Sequence, residues 1–461
     1  MTKKVLILLS LLFFDIFIIS SHAQNWIELG TLNGNGTISC IASDNTGNIY
    51  AGGSFSNGNS KFYVAKWNGS SWSELGTANN ALNADSLISA IAVDNSGNVY
   101  TAGNFTDVNG KYYVAKWNGT NWSELGTGTN ALKINGDIYT LTTDLSGNVY
   151  AAGQFTTGAK NNEGVNYVVQ WNGSTWSELG SGSNALNAND NIWDIITDTS
   201  GNIYAAGSFI DSLGYSYVAK WNGTKWSEVG TGSNRLTANN SIYSICMDRY
   251  ENIYAAGVFS DSYGYQCVVK WNGSSWSEIG SGETGLNVKS IIYTIAVDGY
   301  GNVYAGGEIS DQTGYYCIAK WNGSSWSELG TGNSALNANN YILSIMIDAD
   351  GYINTAGYFT DNNNFCYVAR WTQQTATPIT QQLNITAVSL YPNPGKDIIH
   401  FSDISEASQL YIYNVLGELV STQYLSGNSS SINLGSLSNG VYTLRFIGQY
   451  VSYAPVKWIK E

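Results

Sequence analysis

The five-residue element Trp-x-Glu-Leu-Gly, with Val or Ile sometimes in place of Leu, occurs seven times in this chain. Its tryptophans are Trp26, Trp72, Trp122, Trp176, Trp226, Trp276 and Trp326. The intervals between them are 46, 50, 54, 50, 50 and 50 residues, so a single unit is repeated. Self-similarity at such a period is typical of solenoids and propellers, in which each repeat is one supersecondary unit. The repeat therefore constrains the architecture before any single side chain is considered.

Each repeat is predicted to form four short β-strands, named A to D here in chain order. In the second repeat, residues 88–93 (ISAIAV) alternate in polarity, a polar turn follows, and residues 99–105 form a second β-rich run. Residues 112–117 (YYVAKW) form a third run, and Asn118-Gly119 supplies a tight hairpin turn before Trp122 begins the fourth. Four short antiparallel strands in succession make one propeller blade.

The last repeat lacks its fourth strand. It ends at Trp371 without a Trp-x-Glu element, whereas residues 26–30 (WIELG) supply such a strand at the other end of the chain. Pairing this strand with the last three completes a seventh blade and leaves no open sheet edge. The sequence thus predicts an all-β fold, a seven-bladed β-propeller over residues 24–371 closed by its own N-terminal strand. An open solenoid or a row of separate modules is the alternative.

The first 23 residues have the features of a secretory signal peptide. Lys3 and Lys4 precede an apolar stretch at residues 5–19, and small residues precede Gln24. No later segment has the roughly 18 apolar residues that a membrane helix needs. A net charge of −14 without a basic stripe argues against nucleic acid as a partner. We therefore expect an exported, monomeric protein without a transmembrane segment.

A polar linker at residues 372–387 precedes a second β-rich region, residues 388–461, whose short alternating strands suffice for a small β-sandwich. This region contains the motifs LYPNP, LYIYN followed by a glycine, LSNGVY and KWIK, in that order. In these motifs it resembles the C-terminal type A sorting domain of type IX secretion. The residues that carry the resemblance are Tyr391, Pro392, Asn393, Pro394, Gly417, Gly440, Tyr442, Lys457 and Lys460.

The resemblance implies a route and a partner. Such a protein is exported by its signal peptide, engages the type IX secretion machinery and crosses a Bacteroidetes-type outer membrane. We therefore expect the chain to be secreted or held at the outer-membrane surface. The repeats are similar, more loosely, to extracellular propeller repeats of the form DxxGNVYxxGxF followed by YVAKWNGxxW. That likeness implies the fold and brings no catalytic residues with it.

Histidine is nearly missing from the sequence. His22 lies in the predicted signal peptide and His400 in the predicted sorting domain, so the repeats contain none. A Ser-His-Asp or Cys-His nucleophile and a histidine-ligated metal are therefore excluded on the ring. A sialidase arginine triad also fits poorly, because the ring has only three non-equivalent arginines, Arg235, Arg249 and Arg370. We predict no catalytic residue and no cofactor, although carboxylate chemistry stays open.

An aspartate follows strand A in every repeat. These residues are Asp44, Asp94, Asp144, Asp198, Asp248, Asp298 and Asp348. Calcium is one interpretation, but Ca²⁺ takes six to eight oxygen ligands and each loop offers one regular carboxylate. Asp and Asn side chains also stabilise turns by bonding nearby backbone amides. We interpret the repeated aspartates as structural turn residues rather than as metal ligands.

A ligand site should break the sevenfold pattern. The loops before strand A and between strands B and C lie at one mouth of a propeller channel, and they vary here. The second residue of strand A is, in order, Ser39, Ser89, Tyr139, Trp193, Tyr243, Tyr293 and Leu343. Blade 4 adds Asp194 at the next position, where the other blades have small residues. The B–C loops add Tyr112, Tyr215, Tyr265, Tyr315 and Phe365.

Aromatic faces beside Asp and Asn side chains suit the binding of sugar rings. Alternatively, these aromatic residues fill space between neighbouring blades. We predict a secreted or surface non-catalytic binding or adhesion propeller with a glycan or protein ligand. The alternative is a carbohydrate-active enzyme with two non-repeated carboxylates about 5 to 9.5 Å apart, for which Asp194 and Glu163 or Glu283 are candidates. A purely structural surface protein is the third possibility.

Overall fold

The structure is a computed structural model of the chain. It describes residues 25–155, 164–372, 388–402, 407–414, 419–425, 431–448 and 456–461. The predicted signal peptide, almost all of the predicted linker, Glu163 and Gly417 lie outside these ranges. The chain divides into two compact units, residues 1–373 and 374–461.

In its described residues, the first unit contains seven four-stranded antiparallel sheets. Strands A are Ile38–Ser43, Ile88–Val93, Ile138–Thr143, Ile192–Thr197, Ile242–Met247, Ile292–Val297 and Ile342–Ile347. Strands B are Ile49–Gly53, Val99–Gly103, Val149–Gly153, Ile203–Gly207, Ile253–Gly257, Val303–Gly307 and Ile353–Gly357. Strands C are Ala65–Trp67, Ala115–Trp117, Val169–Trp171, Ala219–Trp221, Val269–Trp271, Ala319–Trp321 and Ala369–Thr372. Strands D are Trp72–Glu74, Trp122–Glu124, Trp176–Glu178, Trp226–Glu228, Trp276–Glu278, Trp326–Glu328 and, for blade 7, Asn25–Glu28.

The connections from strand D of one blade to strand A of the next have 13 residues in six cases and 9 between Glu28 and Ile38. Six of them contain a 3₁₀ turn that begins four residues after the end of strand D, namely Ala78–Asn80, Gly128–Asn130, Gly182–Asn184, Gly232–Asn234, Gly282–Thr284 and Gly332–Ser334. Within the described ranges the chain forms no α-helix. The fold is therefore all-β, as the alternating sequence pattern predicts.

The N-terminal strand completes the seventh blade. Asn25–Glu28 pairs antiparallel with Ala369–Thr372 at the edge of that sheet. Trp26 lies opposite Trp371, in the register that strands C and D share in blades 1 to 6. The predicted ring of seven blades, closed by an exchanged strand, is confirmed.

The strand-D tryptophans link each blade to the preceding one. The indole Nε1 of Trp276 donates a hydrogen bond to the carbonyl oxygen of Val229 in blade 4, at 2.8 Å. Trp26 makes the same bond to Leu329 at 3.0 Å, so the series continues across the closure. The remaining strand-D tryptophans make equivalent bonds. Trp226 is buried and the other six are partly buried against the apolar clusters, so these residues serve packing between blades rather than a ligand site.

The aspartate after strand A closes the A–B turn. In blade 2, Asp94 Oδ1 accepts the backbone N–H groups of Ser96 and Asn98, each at 2.9 Å. Its Oδ2 accepts the Asn98 side-chain amide at 2.7 Å and the Tyr100 hydroxyl at 2.9 Å. The same four bonds recur in blades 1 and 3 to 6. The turn alone accounts for the repeated carboxylate.

A β-bulge near the start of strand A positions the variable residue of each blade. In blade 4, Ile192 pairs with Gly207 and Asp194 pairs with Ala206, which leaves Trp193 as the extra residue between them. The other six blades show the same register shift. A bulge redirects the side chain of its extra residue and ends regular pairing locally. The fold therefore presents one independently variable side chain per blade.

The second unit is a small β-sandwich. One sheet contains Ser389–Tyr391, Ile398–Ser402 and Ser431–Asn433. The other contains, in spatial order, Leu419–Tyr424, Ala407–Tyr413, Gly440–Gly448 and Val456–Lys460. Buried side chains from both sheets form one apolar core, with Trp458 fully buried within it.

Candidate functional site at the channel mouth

The seven variable residues of strand A line one cavity. They are Ser39, Ser89, Tyr139, Trp193, Tyr243, Tyr293 and Leu343. The cavity has a volume of about 350 Å³. Because all seven come from the bulge position, the cavity lies on the axis around which the blades are arranged. The four aromatic side chains thus line the mouth, which is the first of the two placements considered from the sequence.

The aromatic residues pack against one another in a continuous arc. Tyr139 and Trp193 are stacked, with ring centroids 4.6 Å apart and planes at 13°. Trp193 meets Tyr243 edge to face at 5.5 Å, and Tyr243 stacks on Tyr293 at 5.9 Å and 25°. Offset stacked and edge-to-face pairs are the favoured aromatic geometries. The four rings of Tyr139, Trp193, Tyr243 and Tyr293, called the arc below, therefore line the cavity and also stabilise one another by direct contact.

Polar residues fix the outer ends of these rings. The Tyr139 hydroxyl donates to Gln154 Oε1 at 2.8 Å, and Trp193 Nε1 donates to the Ser208 hydroxyl at 2.8 Å. The Tyr293 hydroxyl donates to Glu308 Oε1 at 3.0 Å. Burial raises the pKa of Tyr293, and the bond to Glu308 raises it further. The hydroxyl therefore stays protonated and holds its ring in place.

A second polar group lies beside blade 2. The Ser89 hydroxyl donates to Asn104 Oδ1 at 3.3 Å, and the Asn104 amide donates to Asp137 Oδ2 at 2.6 Å. Burial raises the pKa of Tyr112, and the neighbouring Asp137 carboxylate adds to this increase. The predicted site residue Tyr112 does not line the cavity and lies beside it, in contact with Asp137.

Asn104, Asp137, Gln154 and Glu308 are site residues that the sequence reasoning missed. Asp137 directly precedes strand A of blade 3, and the other three directly follow strand B of their blades. The residue before strand A and the residue after strand B differ between repeats, as the bulge residue does. A comparison of these two positions across the seven repeats would therefore have indicated the polar residues around the cavity.

Asp194 has a different position from the one predicted. It does not line the cavity. Its Oδ2 accepts the backbone N–H of Ile245 in blade 5 at 2.8 Å, and its Oδ1 lies 3.4 Å from the Thr140 hydroxyl of blade 3. Burial among three neighbouring strands raises its pKa to about 7, against the effect of these bonds. Asp194 therefore connects three adjacent blades.

Four of the predicted loop aromatics lie in the B–C turns and do not line the cavity, namely Tyr215, Tyr265, Tyr315 and Phe365. The backbone N–H of each donates to the aspartate that opens its turn, at 2.9 to 3.0 Å. Tyr315 and Phe365 are 47% and 37% exposed. Their side chains form an outer set, separate from the arc at the mouth.

The structure does not place the three candidate carboxylates of a carbohydrate-active enzyme, Asp194, Glu163 and Glu283, at the cavity. Glu163 lies outside the described residues, and only the backbone of Glu283 is described, in the 3₁₀ turn Gly282–Thr284. Both oxygens of Asp194 are engaged between blades.

In the parts of the chain that are described, no helix is long and apolar enough to cross a membrane.

In the second unit, the LYPNP motif is tied to the C-terminal strand. Asn393 Nδ2 donates to the Lys457 carbonyl oxygen at 2.7 Å, and Asn393 Oδ1 accepts the Ile459 N–H at 3.0 Å. Tyr391 stacks on His400 with ring centroids 5.3 Å apart. The first and last motifs of this region are thus brought together by the fold.

Lys460 is a structural residue of the same region. It is only 5% exposed, and its Nζ donates to the carbonyl oxygens of Leu434 and Gly435 at 2.8 and 3.0 Å. Asp397 Oδ1 lies 3.1 Å from the same ammonium group. A buried ammonium needs such partners because desolvation of an isolated charge is costly. Lys460 therefore anchors the last strand of the chain.

Known proteins resemble the two units separately. Residues 389–460 match the family described as the secretion system C-terminal sorting domain. A search of curated proteins finds no match. Among solved structures, YCF48 bound to D1 peptide is 14% identical with a TM-score of 0.50, over 77% of this chain and 97% of that chain. YCF48 from Cyanidioschyzon merolae is 15% identical with a TM-score of 0.47, over 75% and 98% of the two chains. A gluconolactonase from Xanthomonas campestris is 11% identical with a TM-score of 0.37, over 62% and 85%.

At 14% identity the likeness to YCF48 shows the fold alone. The match at residues 389–460 shows the sorting signal, and with it the type IX machinery as a partner and the cell surface or the medium as the destination. The seven sheets and this C-terminal domain together identify the chain as a β-propeller protein exported by type IX secretion.

Proposed function

We propose that this protein is a non-catalytic binding or adhesion protein that takes a glycan at its channel mouth. The observation that carries the proposal is the convergence of four aromatic side chains from consecutive blades on one cavity. The ring does not need aromatics at this position, because Ser39 and Ser89 occupy it in blades 1 and 2. A departure that the architecture does not require is the expected mark of a binding site.

The size and polarity of the cavity support a small, uncharged ligand group. Its volume of about 350 Å³ is near the lower end of ligand sites, which span roughly 300–1,000 Å³. No charged residue is among those that line it, and the rim adds the amides of Asn104 and Gln154 and the carboxylates of Asp137 and Glu308, which disfavour an anionic ligand. Aromatic surface beside amides and hydroxyls suits the apolar C–H patches and hydroxyl groups of a sugar.

The test compares an aromatic of the arc with an aromatic of the core. Trp193→Ala should weaken glycan binding several-fold or more, because Trp193 supports the aromatic surface that the sugar contacts and an aromatic contact is worth about 0.5–1.5 kcal/mol beyond its buried area. Trp221→Ala, in strand C of the same blade, should mainly lower the melting temperature. A glycan array on the purified protein, titrations of the hits with both variants, and melting curves give the three measurements.

Two results would contradict the proposal. One is an array on which the parent protein binds no glycan. The other is a loss of binding that is equal in both variants and follows their loss of stability, which would make the arc a packing cluster. YCF48, a propeller of similar fold, was solved with a D1 peptide bound. A peptide array is therefore the second screen if no glycan binds.

A further inference from the structure

Large and small side chains are unevenly distributed around the wall of the cavity. Blades 3 to 6 contribute large aromatic side chains, whereas blades 1 and 2 contribute Ser39 and Ser89. The arc fills its own half of the mouth by ring-to-ring contact. Because serine has the smallest of these side chains, we expect most of the open volume to lie over Ser39 and Ser89, between Tyr139 on one side and Leu343 on the other.

Ring contacts leave one face of the arc open toward this volume. Trp193 covers one face of Tyr139, and no other described ring contacts Tyr139. The strand-A residue on its other side is Ser89, whose side chain is too short to cover a phenol ring, while Tyr112 of the blade 2 B–C loop lies near enough to add to the raised pKa of Tyr139. At the far end of the arc, by contrast, Tyr341 packs against Tyr293 with centroids 6.3 Å apart. The available stacking surface is thus the Tyr139 face toward blade 2.

Hydrogen-bonding groups surround the same face. Ser89, Asn104 and Asp137 form a connected series at 3.3 and 2.6 Å. The series offers hydroxyl, amide and carboxylate groups within the sector that contains the open face. The Asp137 carboxylate disfavours a ligand carboxylate by like-charge repulsion, and no described lysine or arginine lines the cavity to offset it.

Resting on the proposed function, we propose that the ligand presents an uncharged terminal pyranose, which stacks on the open face of Tyr139 and fills the space over Ser39 and Ser89. In this arrangement Trp193 stacks on the opposite face of Tyr139 and holds that ring in position. The ligand class excludes uronic and sialic acids at the terminal position.

The sevenfold repeat provides the test variants. Ser89→Tyr introduces the residue that blades 3, 5 and 6 already have at this position, so the backbone accommodates it. This change should cover Tyr139 and fill the open volume, which lowers affinity for a neutral oligosaccharide hit at least tenfold with little change in melting temperature. Tyr243→Ser is the reciprocal change, and it leaves the Ser89–Tyr139 sector intact. It should weaken binding by no more than a few-fold.

The two proposals fail in distinguishable ways. If the parent binds a glycan, Trp193→Ala weakens it, and Ser89→Tyr binds as the parent does with an unchanged melting temperature, the function stands and this sector is wrong. Tight binding of acid-terminated but not neutral oligosaccharides would overturn the ligand class. A parent that binds no glycan overturns both proposals. Titration calorimetry with matched neutral and acidic oligosaccharides measures all of these outcomes.

Discussion

Asp194 shows how one departure from the repeat is accommodated between blades. Ser244 and Ser344 hold the equivalent position in blades 5 and 7, and each hydroxyl accepts a strand-A backbone N–H of the next blade, at 3.2 and 3.3 Å. Asp194 accepts the same N–H with a carboxylate whose pKa burial raises to about 7. An unfolded aspartate has a pKa near 3.9, so between about pH 4 and 7 the folded protein retains a proton that the unfolded chain loses. Stability contributed by this group is therefore lost as the pH rises through that window.

Asp194→Ser should remove this pH dependence and retain an acceptor for Ile245. We expect the variant to melt close to the parent near pH 4 and above it at about pH 8, measured by thermal unfolding at several pH values. Asp194→Ala is the matched control. It also lacks the titrating carboxyl but leaves the Ile245 N–H without its acceptor, so it should be about 1–3 kcal/mol less stable than the serine variant at every pH. A serine variant with the parental slope would show that the carboxyl is not the titrating group.

Sequence position predicts which single residues reach the mouth, but not what they contact there. Tyr139 and Trp193 line the cavity as expected, because the second residue of strand A has the same place in every blade. The partners of Asp194 are 54 and 51 residues away along the chain. Such bonds form only when neighbouring blades lie side by side, so a pattern within one repeat does not contain them.

At the level of the strand, the closing segment Asn25–Glu28 has the clearest energetic role. Deleting residues 26–30 exposes the edge of blade 7 and removes the burial of Trp26 and Leu29. Truncation of a buried large side chain costs roughly 2–5 kcal/mol, so we expect a large drop in melting temperature and more aggregation. Differential scanning calorimetry and light scattering measure the two effects.

Trp26→Phe is the milder control for this deletion. It keeps one aromatic ring but removes the indole bond to Leu329, worth about 0.5–1.5 kcal/mol, and part of the packing against Trp371, so its cost should be well below that of the deletion. A deletion variant that melts like the parent would mean that the exchanged strand does not hold the ring closed.

The number and order of strands follow from the sequence, whereas the local register does not. The alternation in each repeat and the spare WIELG strand are enough for the four-stranded sheets and their closure. The bulge in strand A depends on how two strands pair, and the bulge aims the variable residues. Blade 7 shows a further limit: Asn354 replaces the turn tyrosine, and Arg370 then donates to Asp348 at 2.8 Å. That compensation is visible only once the strands are paired.

For the molecule as a whole, the division into two compact units predicts independent folding. Removing residues 388–461 should leave the ring with an unchanged melting temperature, and the truncated protein should accumulate in the periplasm of a type IX-competent host. Cell fractionation with detection of the ring measures the outcome, and the full-length chain is the control. Normal delivery of the truncated chain to the surface would contradict the assigned role of the sorting domain.

The closing strand also sets a time order on the making of this protein. Asn25 and Thr372, which bond to each other across the closure, are 347 residues apart. At the usual rate of about 5–20 residues per second, the first strand waits roughly 20–70 s on the ribosome before its partner is synthesised. A chain that stops early within the repeats can never close and retains an open edge. Because the sorting domain is synthesised after the last strand of the ring, only chains that already contain every strand needed for closure receive the signal for export to the surface.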